Sequence, residues 1–289
     1  MSAKFGSGGR PRGGIRRAAV AAALMLSSAG AVDGQPLPPG AAPATYADIA
    51  DLVEASATIA LVEVRTQAPV ESARAPGLAA GHARLYIEGR TLGLLWGRSG
   101  LASQVAFLAD VPLLANGKAP KLKKQRWLVF AAPVPDRPGV LQLAAPDGYI
   151  IADPASEQLT RGIIAAFAAP GAPPRIRQIR EAMSVAGNLT GESETQLFVD
   201  TAVGTPVSLS VVRRPGQEPR WGASWSEIAD ESARPPEPNS VAWYRLACFL
   251  PRQLPARAYL QQEASARVRA DADYRLILQQ LGPCRRTRA

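Results

Sequence analysis

Histidine occurs once in this chain and cysteine twice, in 289 residues. With His82 alone, no multi-histidine metal centre can form, and any Ser-His-Asp or Cys-His machine would have to use that one residue. His82 opens an alternating stretch in which Arg84, Tyr86 and Glu88 share its polar side, so it reads as a surface histidine. The sequence has no G-x-S-x-G elbow, and beyond residue 31 no phosphate-binding glycine loop of either common form. No metal and no cofactor is expected. Aromatics are few, at 6% of residues. Trp221, Trp225 and Trp243 are therefore read as interior packing rather than as sugar-stacking platforms. No apolar run approaches the roughly 20 residues that span a bilayer as a helix, so no membrane span is expected in the mature chain.

Acidic residues are absent from the first 31 positions, which carry Lys4, Arg10, Arg12, Arg16 and Arg17. This basic stretch, the apolar run Ala18 to Leu26 and the small-x-small end Ala29-Gly30-Ala31 make a general secretory signal peptide, cleaved after Ala31. The mature protein is then expected in the periplasm or secreted. Removing five charges takes the formal +9 to +4, and setting aside Arg285, Arg286 and Arg288 of the tail leaves about +1. The basic character belongs to the two ends. A nucleic-acid binder concentrates basic residues on one face with aromatics between them, so no nucleic-acid partner is expected.

Lysine is also scarce: five among 33 basic residues. Four of them (Lys118, Lys121, Lys123 and Lys124) sit together in "NGKAPKLKKQRWLVFAAPVP". The turn signals Asn116-Gly117 and Pro120 place them on a hairpin loop entering a strand. Two readings stay open: the lysines solvate the loop and guard the strand edge, or they contact an anionic surface such as a phospholipid or an acidic glycan.

Two cysteines in an exported chain favour a disulfide. Cys248 lies in the apolar helix "VAWYRLACFLP". Cys284 follows "DYRLILQQLGP", a helix ended by Gly282 and Pro283. A Cys248–Cys284 bridge would fasten one helix end to the other; free thiols or a shared metal are the weaker alternatives.

The rest of the chain divides into a linker (32–44), a first domain (45–169), a second (175–284) and a basic tail (285–289). The boundary between the domains is "AAPGAPP". The expected fold is α+β. The first domain is a helix capped by Thr45, five antiparallel strands, and a helix capped by Asp153 whose buried stripe is Leu159, Ile163 and Phe167. The second is an antiparallel meander with turns at 202–204 and 215–218, closed by two helices, the last running from about Leu260 to Leu281. The order helix, five strands, helix resembles secreted oligomer-binding (OB) barrels, including the netrin-like group, and implies a barrel-like domain.

"GESETQLFVDTAVGTPVSLSVVRRPGQEPRW", "WYRLACFLP", "DYRLILQQLGPC" and the lysine stretch together resemble a family of exported proteins of sphingomonad-type bacteria, over residues 45 to 288. The resemblance implies export and a two-part architecture, and brings no activity, substrate or catalytic residue.

The enzymatic candidates are carboxylates. "LFVDTAVGT" resembles the active-site turn of aspartic proteases, with Asp200 in the carboxylate position and Ala202 where glycine is usual. Only one copy is present, so such an enzyme would need a homodimer. Glu192 and Glu194 alternate about Ser193 and could serve as an acid–base pair. The reading the sequence favours is a non-enzymatic exported protein of binding or envelope-structural role, whose partner is an envelope protein or a glycan. The alternative is a periplasmic carboxylate-dependent hydrolase using Asp200.

Overall fold

The computed structural model describes residues 43–98, 100–225 and 233–288. The expected signal peptide, its expected cleavage point after Ala31 and most of the expected 32–44 linker lie outside the described residues.

Helix α1 (Tyr46–Ala55) starts where Thr45 caps it: the Thr45 hydroxyl accepts the Asp48 N–H, and the Asp48 carboxylate accepts the Thr45 N–H. This reciprocal pair satisfies two donors that a helix start leaves without partners. Six strands follow: β1 (Thr58–Pro69), β2 (His82–Trp96), β3 (Gln104–Pro112), β4 (Arg126–Pro133), β5 (Leu141–Leu143) and β6 (Tyr149–Ile151). They form one antiparallel sheet in the order β3-β2-β1-β4-β5, with β6 also on β4. Five strands were expected. β6 escaped because a three-residue strand leaves almost no periodicity to read.

The sheet is not closed into a barrel. At its open seam a single isolated parallel bridge joins Ala106 of β3 to Val140, the residue before β5. The physical reason is length: β5 offers three residues against nine in β3. The lysine loop is not a hairpin either. β3 pairs with β2, whereas β4 pairs with β1, so residues 113–125 cross over to the centre of the sheet.

The stretches Ile59–Val62 of β1 and Trp127–Ala132 of β4 read as apolar runs because both faces of the sheet are buried there. Ala60, Val62, Trp127 and Val129 pack with Ile87 and Phe107 on one face of the sheet. Ile59, Leu61, Leu128 and Phe130 turn the other way, into a second cluster. Helix α2 (Pro154–Ala168) joins that second cluster through Ile163 and Ile164. Asp153 caps α2, and Pro154 occupies its first turn. Leu159 does not belong to the buried stripe: it is exposed, and Thr160 takes the inward position.

The second sheet is a plain meander, β7 (Ile176–Ala186), β8 (Ser193–Thr201), β9 (Val207–Arg213) and β10 (Arg220–Ser224), in the order β10-β9-β8-β7. Its inner face (Ile179, Leu197, Val199, Leu209 and Val211) packs into the same second cluster as α1 and α2. Helices α3 (Val241–Phe249) and α4 (Ala264–Leu281) complete that cluster through Tyr244, Leu246, Tyr274 and Ile277. α4 begins at Ala264 rather than near Leu260, after a single helical turn at Ala256–Ala258. Cys248 and Cys284 are disulfide-bonded, with Cα atoms 5.1 Å apart. Gly282, at φ +69°, ends α4 in a backbone state that favours glycine and turns the chain toward that bond. Among the described residues the fold is therefore α+β, with two antiparallel sheets and four α-helices. No helix among the described residues is long and apolar enough to cross a membrane.

Candidate binding cleft

A cleft of about 740 Å³ opens where five separate stretches of chain meet. The last turn of α1 contributes Glu54. The segment after α2 contributes Pro173, Pro174 and Arg175; α3 contributes Arg245; and the β8–β9 turn contributes Val203. Phe167 and Trp225 add aromatic wall.

The polar floor is a chain of ion pairs. Glu54 accepts from Arg175 at 2.8 Å and faces Arg245 Nη1 at 2.8 Å. Arg245 Nε donates to the Pro173 carbonyl at 3.0 Å. Its guanidinium also lies 4.9 Å from the Phe167 ring centre and 5.3 Å from that of Tyr244, within cation–π range. The Tyr244 hydroxyl donates to Asp51 at 2.6 Å, and Arg286 of the tail donates to the other Asp51 oxygen at 2.6 Å. Burial, reinforced by the Asp51 carboxylate, holds the Tyr244 hydroxyl well above the usual tyrosine range, so it is a donor at every physiological pH.

Within the cleft lining, two guanidinium groups, Arg175 and Arg245, thus face the single carboxylate of Glu54, an excess of one positive charge. The excess is presented by Arg175, whose side chain is 53% exposed against 6% for Arg245. The Glu54 hydrogen bond fixes that guanidinium and raises its pKa, and the Phe249 ring lies 5.4 Å beneath it. An oriented cation beside apolar walls suits an anionic head group joined to a flat apolar body.

The tail is part of this arrangement rather than a loose basic end. Arg286 pairs with Asp51, and Arg288 pairs with Asp147 at 3.0 Å.

The residues singled out in the sequence stand elsewhere and apart. Asp200 lies within β8, one residue from its end, opposite Gln178. Its side-chain partners are Gln178 at 3.0 Å and Arg180 at 3.5 Å. The Glu192 carboxylate accepts the backbone N–H groups of Asn188 and Leu189, closing the β7–β8 turn. Glu194 instead accepts from Gln196. The three carboxylates have separate partners and share none. His82 Nδ1 lies 3.1 Å from the Ala80 carbonyl at the start of β2. Trp221 and Trp243 are buried, donating to Gln280 and to the Leu281 carbonyl; only Trp225 of the three borders the cleft. Lys118, Lys121, Lys123 and Lys124 are all exposed. Among the described residues no three His, Cys, Asp or Glu side chains form a metal-holding group.

The sequence reading did not single out Glu54, Arg175, Tyr244 or Arg245, because the four come from three distant segments. One signal was present. Arg245 is a lone charge inside the apolar helix "VAWYRLACF", and a buried guanidinium requires a partner.

No protein-family model matches the chain, and no curated protein matches it.

Proposed function

We propose that this is an exported, non-enzymatic binding protein whose ligand is an organic anion with a flat apolar body, held in the Arg175 cleft. The observation that carries this reading is the one-charge excess of Arg175 and Arg245 over Glu54 in the cleft lining, with the exposed Arg175 at the mouth of an apolar-walled cleft. Tyr244 and Arg245 are donors, and the acceptors facing them already hold partners, so the site is equipped to hold a ligand rather than to transform one. The signal-peptide pattern and the Cys248–Cys284 bond support maturation in an oxidising compartment, periplasmic or extracellular. Kinship with the exported sphingomonad-type family is part of the same proposal and rests on the sequence stretches that resemble it.

For the first sheet the same proposal keeps the OB-type relationship, as a barrel left open along one seam. The support is the strand order together with the parallel direction of the Ala106–Val140 bridge.

A thermal-melt comparison tests the ligand class. Benzoate should raise the melting midpoint of the mature protein, benzyl alcohol of the same shape should not, and Arg175→Ala should abolish the benzoate effect. Equal responses to the two compounds, or a benzoate response that survives Arg175→Ala, would refute the reading.

A further inference from the structure

Lysine and arginine are used for different work in this protein. Every ion pair among the described residues is made by arginine and none by lysine. Arginine's rigid fork suits internal pairing, whereas the lysine ammonium is a hydrated point charge that meets scattered anionic oxygens without a fixed geometry. The four lysines beyond the leader sit on one crossover loop, all exposed, with no acidic residue between Asp110 and Asp136.

The loop that carries them is anchored. Leu122 is buried against the first sheet. The Gln67 side chain clamps the loop from β1, donating to the Pro120 carbonyl at 2.8 Å and accepting the Leu122 N–H at 2.6 Å. The Lys124 N–H donates to the Val64 carbonyl, and the Gln125 carbonyl accepts the Val64 N–H. Lys124 itself stands at φ +72°, in the turn Leu122–Gln125, where glycine would fit without strain. A strained lysine on a clamped backbone is better explained by what its charge meets than by loop solubility alone.

We propose that Lys118, Lys121, Lys123 and Lys124 form a docking site for an acidic polysaccharide, separate from the Arg175 cleft. The partner is a repeating polyanion because the surface is charge without apolar reach. The one large apolar side chain between the lysines, Leu122, points inward, and Trp127 beyond them is buried. A loop that enters a lipid surface adds exposed apolar groups to its charge, and a single-stranded nucleic-acid site adds aromatic stacking. This loop supplies neither.

The test measures binding of the mature protein to immobilised polygalacturonate. The wild type should bind, and the affinity should fall steeply with added salt. The quadruple variant Lys118→Gln, Lys121→Gln, Lys123→Gln, Lys124→Gln should bind roughly tenfold more weakly or worse. A charge-matched control, Arg74→Gln, Arg177→Gln, Arg214→Gln, Arg252→Gln, should bind like the wild type. Lys124→Gly removes strain and charge together, so its melting midpoint should hold or rise while binding weakens. The proposal fails if the wild type does not bind, or if the two quadruple variants lose affinity equally. Tighter binding to phosphatidylglycerol vesicles or to single-stranded DNA than to polygalacturonate would overturn it in favour of those partners.

Discussion

Asp48 and Thr287 are 239 residues apart in sequence, yet the Asp48 carboxylate accepts both the backbone N–H and the hydroxyl of Thr287, the latter at 2.8 Å. The same carboxylate accepts the Arg288 N–H and closes the capping box of α1. One nearly buried side chain therefore starts the first helix and holds the end of the chain against it. Burial alone would push its pKa up, but the hydrogen bonds from Thr45 and Thr287 outweigh that and hold it below the ordinary aspartate value. A depressed carboxylate pKa stabilises the fold above the unfolded value, near 4, and loses that stabilisation as pH falls through the folded value. Asp48→Asn should cost about 1–3 kcal/mol at neutral pH and flatten the loss of stability below about pH 4. Urea unfolding at pH 7 and pH 3 measures both.

The disulfide lies directly before the docked tail. Closing a loop with a sequence separation of 36 is worth about 4 kcal/mol in the chain-entropy model. Cys248→Ser with Cys284→Ser should lower stability by that order. Urea unfolding with and without reductant should show the wild type approaching the double variant only when reduced.

Asp273 of α4 is fully buried and receives hydrogen bonds from Arg213 of β9 and Thr195 of β8. Asp273→Ala leaves the Thr195 hydroxyl and the Arg213 guanidinium without their acceptor, but the Arg213 side chain is 33% exposed and can reach water, so the cost should be about 2–3 kcal/mol. Exchanging both members, Asp273→Leu with Arg213→Met, should recover a large part of that loss. A double-mutant cycle by chemical denaturation reads the coupling.

Five of the six tyrosines hold their protons more tightly than usual, burial being the first cause in each. Tyr46, Tyr149 and Tyr259 are pushed up to about 12, and Tyr244 and Tyr274 lie higher still. Groups with raised folded pKa values stabilise the fold fully below the unfolded value, near 10, and that contribution disappears as pH rises through the folded values. Stability should therefore fall from about pH 10 upward. Absorbance at the phenolate band should show these five tyrosines ionising only at higher pH, or on unfolding, in contrast to the denatured chain.

The central strands were legible in the sequence by two signals: β1 alternates and is rich in β-forming residues, and Trp127–Ala132 of β4 is an unbroken apolar run in a strand buried on both faces. The caps Thr45 and Asp153 and the Cys248–Cys284 pair were legible because each rests on local chemistry. Strand β7 was not. Bulges at Ile176/Gln178 and at Ile179/Glu181 bring Ile176, Ile179 and Ala182 inward at a spacing of three, which erases the strand's period of two. The lysine loop was placed correctly on the surface but read as a hairpin, because nothing local shows that β4 pairs with β1. The cleft was invisible for the same reason: Glu54, Arg175 and Arg245 meet only through tertiary packing.

Native mass spectrometry of the protein recovered from its own cells addresses the proposed binding role most directly. The protein, with its disulfide intact, should carry an additional organic mass that Arg175→Ala loses while remaining folded. A bare polypeptide mass in both proteins, or a bound mass that Arg175→Ala leaves in place, would contradict the cleft as the seat of function.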